Sequence, residues 1–165
     1  MPDFSPTPID SLPPEGLSRN RAISDEWLAL LQGSGYRLTG PRRAIVEIIV
    51  GSQHALGPLD VFDLGRSQYP GLGLVTVYRT LEKLEELTLV QRVHQPGGCH
   101  AYLRASRGHQ HILLCLRCGR AEYFSGDDLA PLMAAIANRS GFSIKDHLLQ
   151  LFGFCQDCQA AAAKE

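Results

Sequence analysis

Four cysteines stand in two pairs of equal spacing, Cys115-x-x-Cys118 and Cys155-x-x-Cys158. A two-residue gap lets both sulfurs of a pair reach one ion while the amides between them point at the sulfurs. Two such pairs make a closed tetrahedral S₄ site. That site suits Zn²⁺ and leaves no coordination position open for a substrate. Gly119, directly after the first pair, fits the tight turn of such a knuckle. The ion would fasten the C-terminal end of the chain to the segment before Cys115. In so small a unit, metal-binding energy is folding energy. Two other chemistries use the same residue types. A redox couple needs a single CxxC opening a helix after a strand, and an iron–sulfur cluster also takes four thiolates. The doubled knuckle favours structural zinc over both.

The remaining ligand-type residues are unevenly placed. Of five Cys and six His, only His54 precedes position 94, and it reads as a turn residue. His94, Cys99 and His100 flank Pro96-Gly97-Gly98, so two of the three could approach one ion across a tight turn. His109 and His111 lie two apart, which puts both on one face of a strand. A thiolate with imidazoles favours Zn²⁺ over Fe²⁺ or Mn²⁺, which prefer carboxylates.

The composition narrows the classes. The 165 residues carry 16 Lys+Arg and 17 Asp+Glu, a net charge of −1, with 44% hydrophobic residues. That is enough apolar material for a core, and it excludes wholesale disorder and a uniformly basic, histone-like binder. The opening residues MPDFSPTPID have neither the basic nor the apolar region of a signal peptide. No run of about 18 apolar residues predicts a membrane span. An odd cysteine count argues against a disulfide framework, so a cytoplasmic chain with reduced thiols and no membrane partner is expected. No HExxH, nucleophile elbow or Gly-rich phosphate loop is present, so no enzyme activity is expected. A zinc-ribbon metalloenzyme, the competing class, would need an open metal position.

These residues must be positioned by two different halves. Pro2, Pro6, Pro8, Pro13 and Pro14 predict a flexible tail over residues 1–20. Helical periodicity then begins near Ser24, with Trp27, Leu28, Leu30 and Leu31 on one face. Thr39-Gly40-Pro41 opens a second helix burying Ala44, Ile45, Ile48 and Ile49, and Pro58 opens a third. A fourth runs from Val75 or Thr76 to Leu87, with Val77, Leu81 and Leu84 inward and Tyr78, Arg79, Glu82, Lys83 and Glu86 outward. The β-prone runs Leu89–His94 and Cys99–Arg104 then read as a hairpin. Helices followed by a hairpin form a winged helix-turn-helix, here over 21–95, or a generic helical unit with a β-arm. Residues 96–165 read as a small α+β unit. It has strands at 111–116 and 121–125, a helix capped by Ser125 or Asp127 and running to Asn138, and a strand over Ile144–Phe154. The overall class is α+β.

Several of these segments together resemble the ferric uptake regulator family. They are Gly35-Tyr36-Arg37-Leu38-Thr39-Gly40-Pro41-Arg42, then Thr76-Val77-Tyr78-Arg79-Thr80-Leu81, then the His-rich run into Cys115-x-x-Cys118-Gly119, and finally Cys155-x-x-Cys158. Order and spacing match over residues 25–158. The resemblance implies a metal-dependent homodimeric transcriptional regulator, usually a repressor, that binds double-stranded operator DNA. Its winged helix would bind the DNA, and its C-terminal unit would dimerise and hold the metals. It implies a base contact for Tyr78 and a backbone contact for Arg79, with Thr76 in the same motif. It also implies an approach to the minor groove by Arg37, and Arg42 and Lys83 are read as phosphate contacts beside it. Residues 19–94 carry nine Lys/Arg against eight Asp/Glu, so affinity must come from few well-placed contacts doubled by symmetry.

The family pattern is broken at its regulatory site. Ile112 stands three residues before Cys115 where a His is usual, and Gln110 stands five before it. Leu103 replaces a carboxylate usually supplied at the hinge between the halves. Aligned without a gap, His109 and His111 match a second metal site of the family, with His147 as partner and Asp127, Asp128 or Glu122 as the acid. A one-residue bulge before Cys115 would instead carry both His into the hinge. The hairpin residues His94, Cys99 and His100 could also compensate. The expectation is a regulatory divalent metal beside the structural zinc, with Zn²⁺ favoured. A peroxide or thiol sensor of the same fold is the alternative.

Overall fold

The computed structural model describes residues 14–95, 98–106, 108, 110–125 and 129–163. Helix α1 spans Pro14–Gly33, ten residues longer at its start than the apolar periodicity predicts. Pro14 is the first helical residue, where its missing N–H leaves no bond unmade and its fixed φ suits the helix. The flexible tail expected over 1–20 is therefore corrected from Pro14 onward, and residues 1–13 lie outside the described residues. Helix α2 spans Gly40–Gly51, α3 Pro58–Gln68 and α4 Leu74–Glu86. Pro41 and Pro58 lie in the first turns of α2 and α3, as their sequence positions predict. At the start of α3 the Gly57 N–H donates to the Asp60 carboxylate at 2.8 Å, capping the helix with an acid in its first turn.

Val77, Leu81 and Leu84 of α4 are fully buried, the stripe expected from their spacing. They close on Trp27, Leu28 and Leu31 of α1 and on Ile45, Val46, Ile48 and Ile49 of α2. The packing of α4 on this core fixes which of its residues face solvent. The helix ends where Thr88 adopts a left-handed backbone (φ 55°) and the Leu89 N–H returns to the Leu84 carbonyl at 2.9 Å.

Strands β1 (Val90–His94) and β2 (His100–Arg104) form an antiparallel wing in which His94 lies opposite His100. A division at 95/96 would run through this wing, since β2 pairs with β1. In the C-terminal half, β3 (His111–Cys115) is central, antiparallel to β4 (Ala121–Phe124) and parallel to β5 (Gln150–Gly153). The parallel pair requires a crossover, and helix α5 (Leu129–Ser140) lies in it. Helix α6 spans Gln156–Ala162. One expectation on helix α5 falls on Asp127, which lies outside the described residues; the helix is described over Leu129–Ser140. One expectation is corrected here. The strand expected over Ile144–Phe154 shrinks to Gln150–Gly153, because the polar run Lys145-Asp146-His147 interrupts the apolar pattern.

The two halves meet over a second apolar cluster. Val93, Ala101 and Leu103 of the wing pack with Ala55 and with Ile112 and Leu114 of β3. The α2–α3 connection threads this junction. Leu56 and Tyr102 exchange backbone bonds of 3.1 and 2.8 Å, and the Ala55 N–H donates to the Gly119 carbonyl at 2.9 Å. The Tyr123 hydroxyl donates to the Arg104 carbonyl at 2.6 Å. No helix among the described residues is long and apolar enough to cross a membrane.

Candidate metal centre and nucleic-acid interface

Strand β3 ends at Cys115, and the turn after it carries Cys118 and Gly119, the latter at φ +73° where a side chain would be strained. Cys155 follows β5 as the N-cap of α6, and Cys158 lies in the first turn of that helix. The parallel pairing of β3 with β5 brings the two knuckles side by side, with Cys115 opposite Gly153. All four sulfurs lie within 4.8 Å of one another. Cys118 and Cys155 sulfurs are 3.7 Å apart. A tetrahedron with Zn–S bonds of roughly 2.3 Å has an edge of roughly 3.8 Å, so the donor set fits Zn²⁺.

The electrostatics agree with a cation between the sulfurs. Burial raises the pKa of Cys115, but N–H donors from Cys155, Cys118 and Arg117 outweigh it and bring the thiol down to about 6. The Cys155 N–H lies 3.3 Å from that sulfur. Cys158 goes the other way, pushed up to about 12 by burial and by the three neighbouring thiols. Four thiolates cannot ionise together unless a positive ion neutralises them. Two arginines tie the knuckles from outside. Arg117 donates to the Cys158 carbonyl at 3.2 Å, and Arg120 reaches Asp157 at 3.2 Å and Glu122 at 3.0 Å.

A pH dependence follows. Cys115 has a folded pKa below the ordinary thiol value of 9.0, so its contribution is complete above that value, declines below it and is gone once the pH passes below about 6. Protons compete with the metal for the thiolates, so zinc release to a chromophoric chelator is expected to steepen on acidification. A release rate that is independent of pH contradicts the assignment.

The other ligand-type residues divide into two pairs. The rings of His94 and His100 meet edge to face at 5.2 Å between centroids, with exposed Cys99 next in the chain. The Gln150 side chain holds this end of the wing against the C-terminal sheet. It accepts from the His94 N–H at 3.1 Å and donates to the His94 carbonyl at 2.7 Å. His111, buried, lies 5.1 Å from the His147 ring and 5.4 Å from that of Phe124. His109, Asp127 and Asp128 lie outside the described residues. Glu122 is engaged by Arg120.

Among the described residues, apolar side chains stand at the hinge positions that the family pattern gives to ligands. Leu103 and Ile112 belong to the buried apolar cluster between the halves, and Tyr123 packs against it. Strand β3 runs without a bulge, so Ile112 and Leu114 take the hinge side while His111 takes the opposite face. His54, read from the sequence as a turn residue, pairs with Arg120 in an isolated bridge at the same junction. Burial, and then the Arg120 charge, lower its pKa.

The first turns of α4 carry exposed side chains. Tyr78 is 43% exposed and Arg79 is exposed, while Thr76 is half-buried and its carbonyl accepts from the Thr80 hydroxyl at 2.7 Å. Arg37 is exposed in the α1–α2 connection. Arg42 donates to the Arg37 carbonyl at 2.6 Å and lies over the Tyr36 ring. Lys83 lies near the same ring and pairs with Glu86 at 2.8 Å. Sequence reasoning missed Tyr36, Arg117 and Arg120. Cationic neighbours of an aromatic, and arginines flanking a CxxC, are signals that could have pointed to them.

The sequence pattern of the ferric uptake regulator family matches residues 33–152. The ferric uptake regulation protein of Neisseria meningitidis serogroup A is 31% identical over 134 residues, covering 81% of this chain and 93% of that protein. The chain belongs to the ferric uptake regulator family. It is a metal-dependent, DNA-binding transcriptional regulator. The crystal structure of the Vibrio cholerae ferric uptake regulator superposes with a TM-score of 0.60 at 29% identity, over 77% of this chain and 98% of that one. A zinc uptake regulator complexed with zinc and DNA shares the fold, with a TM-score of 0.64 at 22% identity over 87% and 97% of the two chains. The winged helix-turn-helix followed by a C-terminal domain with a four-cysteine zinc site is the architecture of this family member.

Proposed function

We propose that this regulator is a homodimeric repressor of metal-homeostasis genes that acts in the cytoplasm and senses zinc in preference to iron or manganese. The observation that carries the DNA-binding half is the exposure of Tyr78 and Arg79 at the start of α4 on a rigidly packed helix. A recognition helix enters the major groove by its N-terminal part. There a Tyr ring packs on a thymine methyl and Arg reads guanine or grips phosphate. Thr76 lies at the same end, while Arg37, Arg42 and Lys83 line the flank as backbone contacts. Dimerisation is supported by α5, which buries none of its residues within this chain, and by exposed Leu132, Ile136, Phe152 and Phe154. A second copy would cover them.

The structural zinc belongs to Cys115, Cys118, Cys155 and Cys158. We place the regulatory ion at the wing tip, where the His94 and His100 rings meet at 5.2 Å and exposed Cys99 adjoins them in the chain; imidazoles with a thiolate are the ligand types that favour zinc. The His111–His147 pair, with rings 5.1 Å apart, is the second seat. An ion at the wing tip would fix the wing against the sheet that carries Gln150, and so hold the two recognition helices of a dimer at one spacing.

The experiment is metal analysis combined with DNA binding titrated against Zn²⁺, Fe²⁺ and Mn²⁺. Two zinc ions per chain are expected. DNA binding should rise at lower free Zn²⁺ than Fe²⁺ or Mn²⁺, and His94→Ala with His100→Ala should remove the second ion and the response while sparing the first. A second ion retained in that double variant, with an unaltered response, overturns the wing-tip assignment.

A further inference from the structure

Two of the cations on the DNA-facing side are not free to wander. The Arg42 guanidinium lies 5.3 Å from the centre of the Tyr36 ring, and the Lys83 ammonium lies 5.1 Å from it. Both distances are within reach of a cation–π attraction. Arg42 comes from the first turn of α2 and Lys83 from the last turn of α4, so the Tyr36 ring joins the two cations across the helix-turn-helix. Its own position is set from behind, because the ring is half-buried against the apolar core. The backbone there is fixed too, since the Tyr36 N–H donates to the Leu31 carbonyl at 3.1 Å. Each cation has a second tether. Arg42 donates to the Arg37 carbonyl at 2.6 Å, and Lys83 pairs with Glu86 at 2.8 Å.

We propose that Tyr36 is a positioning residue, whose ring holds Arg42 and Lys83 as a preformed two-cation clamp for the DNA phosphate backbone. The proposal rests on the reading that both cations contact phosphate. Two cations held close together repel each other, and long, flexible side chains lose rotamer freedom when a ligand fixes them. The aromatic ring attracts both charges and orders both side chains before DNA arrives. The ring leaves the charge count unchanged, so its effect falls on affinity without adding a phosphate contact. A phenyl ring does the same work, and an aliphatic side chain of similar bulk does not.

The test uses the full-length zinc-loaded protein and a duplex it selects from a random-sequence pool, with binding read by fluorescence anisotropy. Tyr36→Phe is expected to bind within about twofold of wild type, and Tyr36→Leu to bind on the order of tenfold more weakly while keeping wild-type circular dichroism and zinc content at the assay temperature. Arg42→Gln with Lys83→Gln weakens binding and lowers the salt slope by about 0.9 for each phosphate no longer neutralised. Adding Tyr36→Leu to that pair is expected to cost nothing more. Wild-type affinity in Tyr36→Leu, while the double Gln variant binds weakly, overturns the positioning role alone. An equal drop in affinity from Tyr36→Leu with and without the two cations shows a purely structural effect and also overturns it. Wild-type affinity and salt slope in the double Gln variant show that neither cation touches DNA, which removes the phosphate reading and this proposal together.

Discussion

Tyr78→Ala and Arg79→Ala each weaken binding of the zinc-loaded protein to its selected duplex by on the order of a hundredfold or more. A well-made base or groove contact contributes about 1–3 kcal/mol of discrimination, and a homodimer forfeits it twice. The near-neutral surface sharpens the expectation, because no broad basic field remains to hold the duplex without these two side chains. The two variants differ in kind. Tyr78→Ala removes a base contact, so its effect is largest on the selected duplex and small on random DNA. Arg79→Ala removes a backbone contact, so it weakens both and lowers the salt slope. Both side chains are exposed on a helix anchored by Val77, Leu81 and Leu84 beneath them. Surface changes of this kind move stability by no more than about 0.5 kcal/mol. Zinc content, oligomeric state and melting temperature are therefore expected to match wild type. Unchanged affinity on the selected duplex would remove α4 as the reading element.

Cys115→Ser abolishes zinc retention and unfolds the C-terminal half. The apparent binding energy of a structural zinc site is about 10–16 kcal/mol, more than a small domain's whole stability. The elements that depend on the ion have little else to hold them. Helix α6 has seven residues, too few to persist alone, and buries none of them within this chain. Strand β5 has four residues and is tied to β3 in part by the Leu116 N–H bond to the Gly153 carbonyl at 2.8 Å, beside the knuckles. Size-exclusion chromatography should report loss of the dimer, and circular dichroism should report loss of the C-terminal sheet and helices. The winged helix should persist, since its core of α1, α2 and α4 is built from its own residues. A zinc-free Cys115→Ser protein with wild-type dichroism and size would contradict a structural role for the ion.

What could be read beforehand was whatever depends on local spacing. The stripe Val77, Leu81, Leu84 gave α4 and its outward face. Pro41 and Pro58 marked helix starts, and the two CxxC knuckles marked the metal centre. The misreadings have local causes too. Pro13 and Pro14 look like breakers, yet a proline in the first turn opens a helix, so α1 begins at Pro14. The apolar content of 144–154 suggested one long strand, but only Gln150–Gly153 finds a partner, in β3. The junction between the halves was the least legible part. Leu103, Ile112 and Ala55 are distant in sequence, and only the fold shows that they meet in one apolar cluster where the family resemblance suggested a metal. Tyr36 was hidden for the same reason, because Lys83 reaches it from forty-seven positions further along the chain.

The most direct measurement is the affinity of the full-length protein for its selected duplex, taken with zinc saturating and again after chelation of weakly held metal. The wild-type protein is expected to bind the duplex tightly and specifically with zinc and to lose most of that affinity on chelation, with Tyr78→Ala weak in both states. Binding that is equally tight with and without zinc, or that survives Tyr78→Ala unchanged, would contradict a metal-set recognition helix as the basis of this regulator's function.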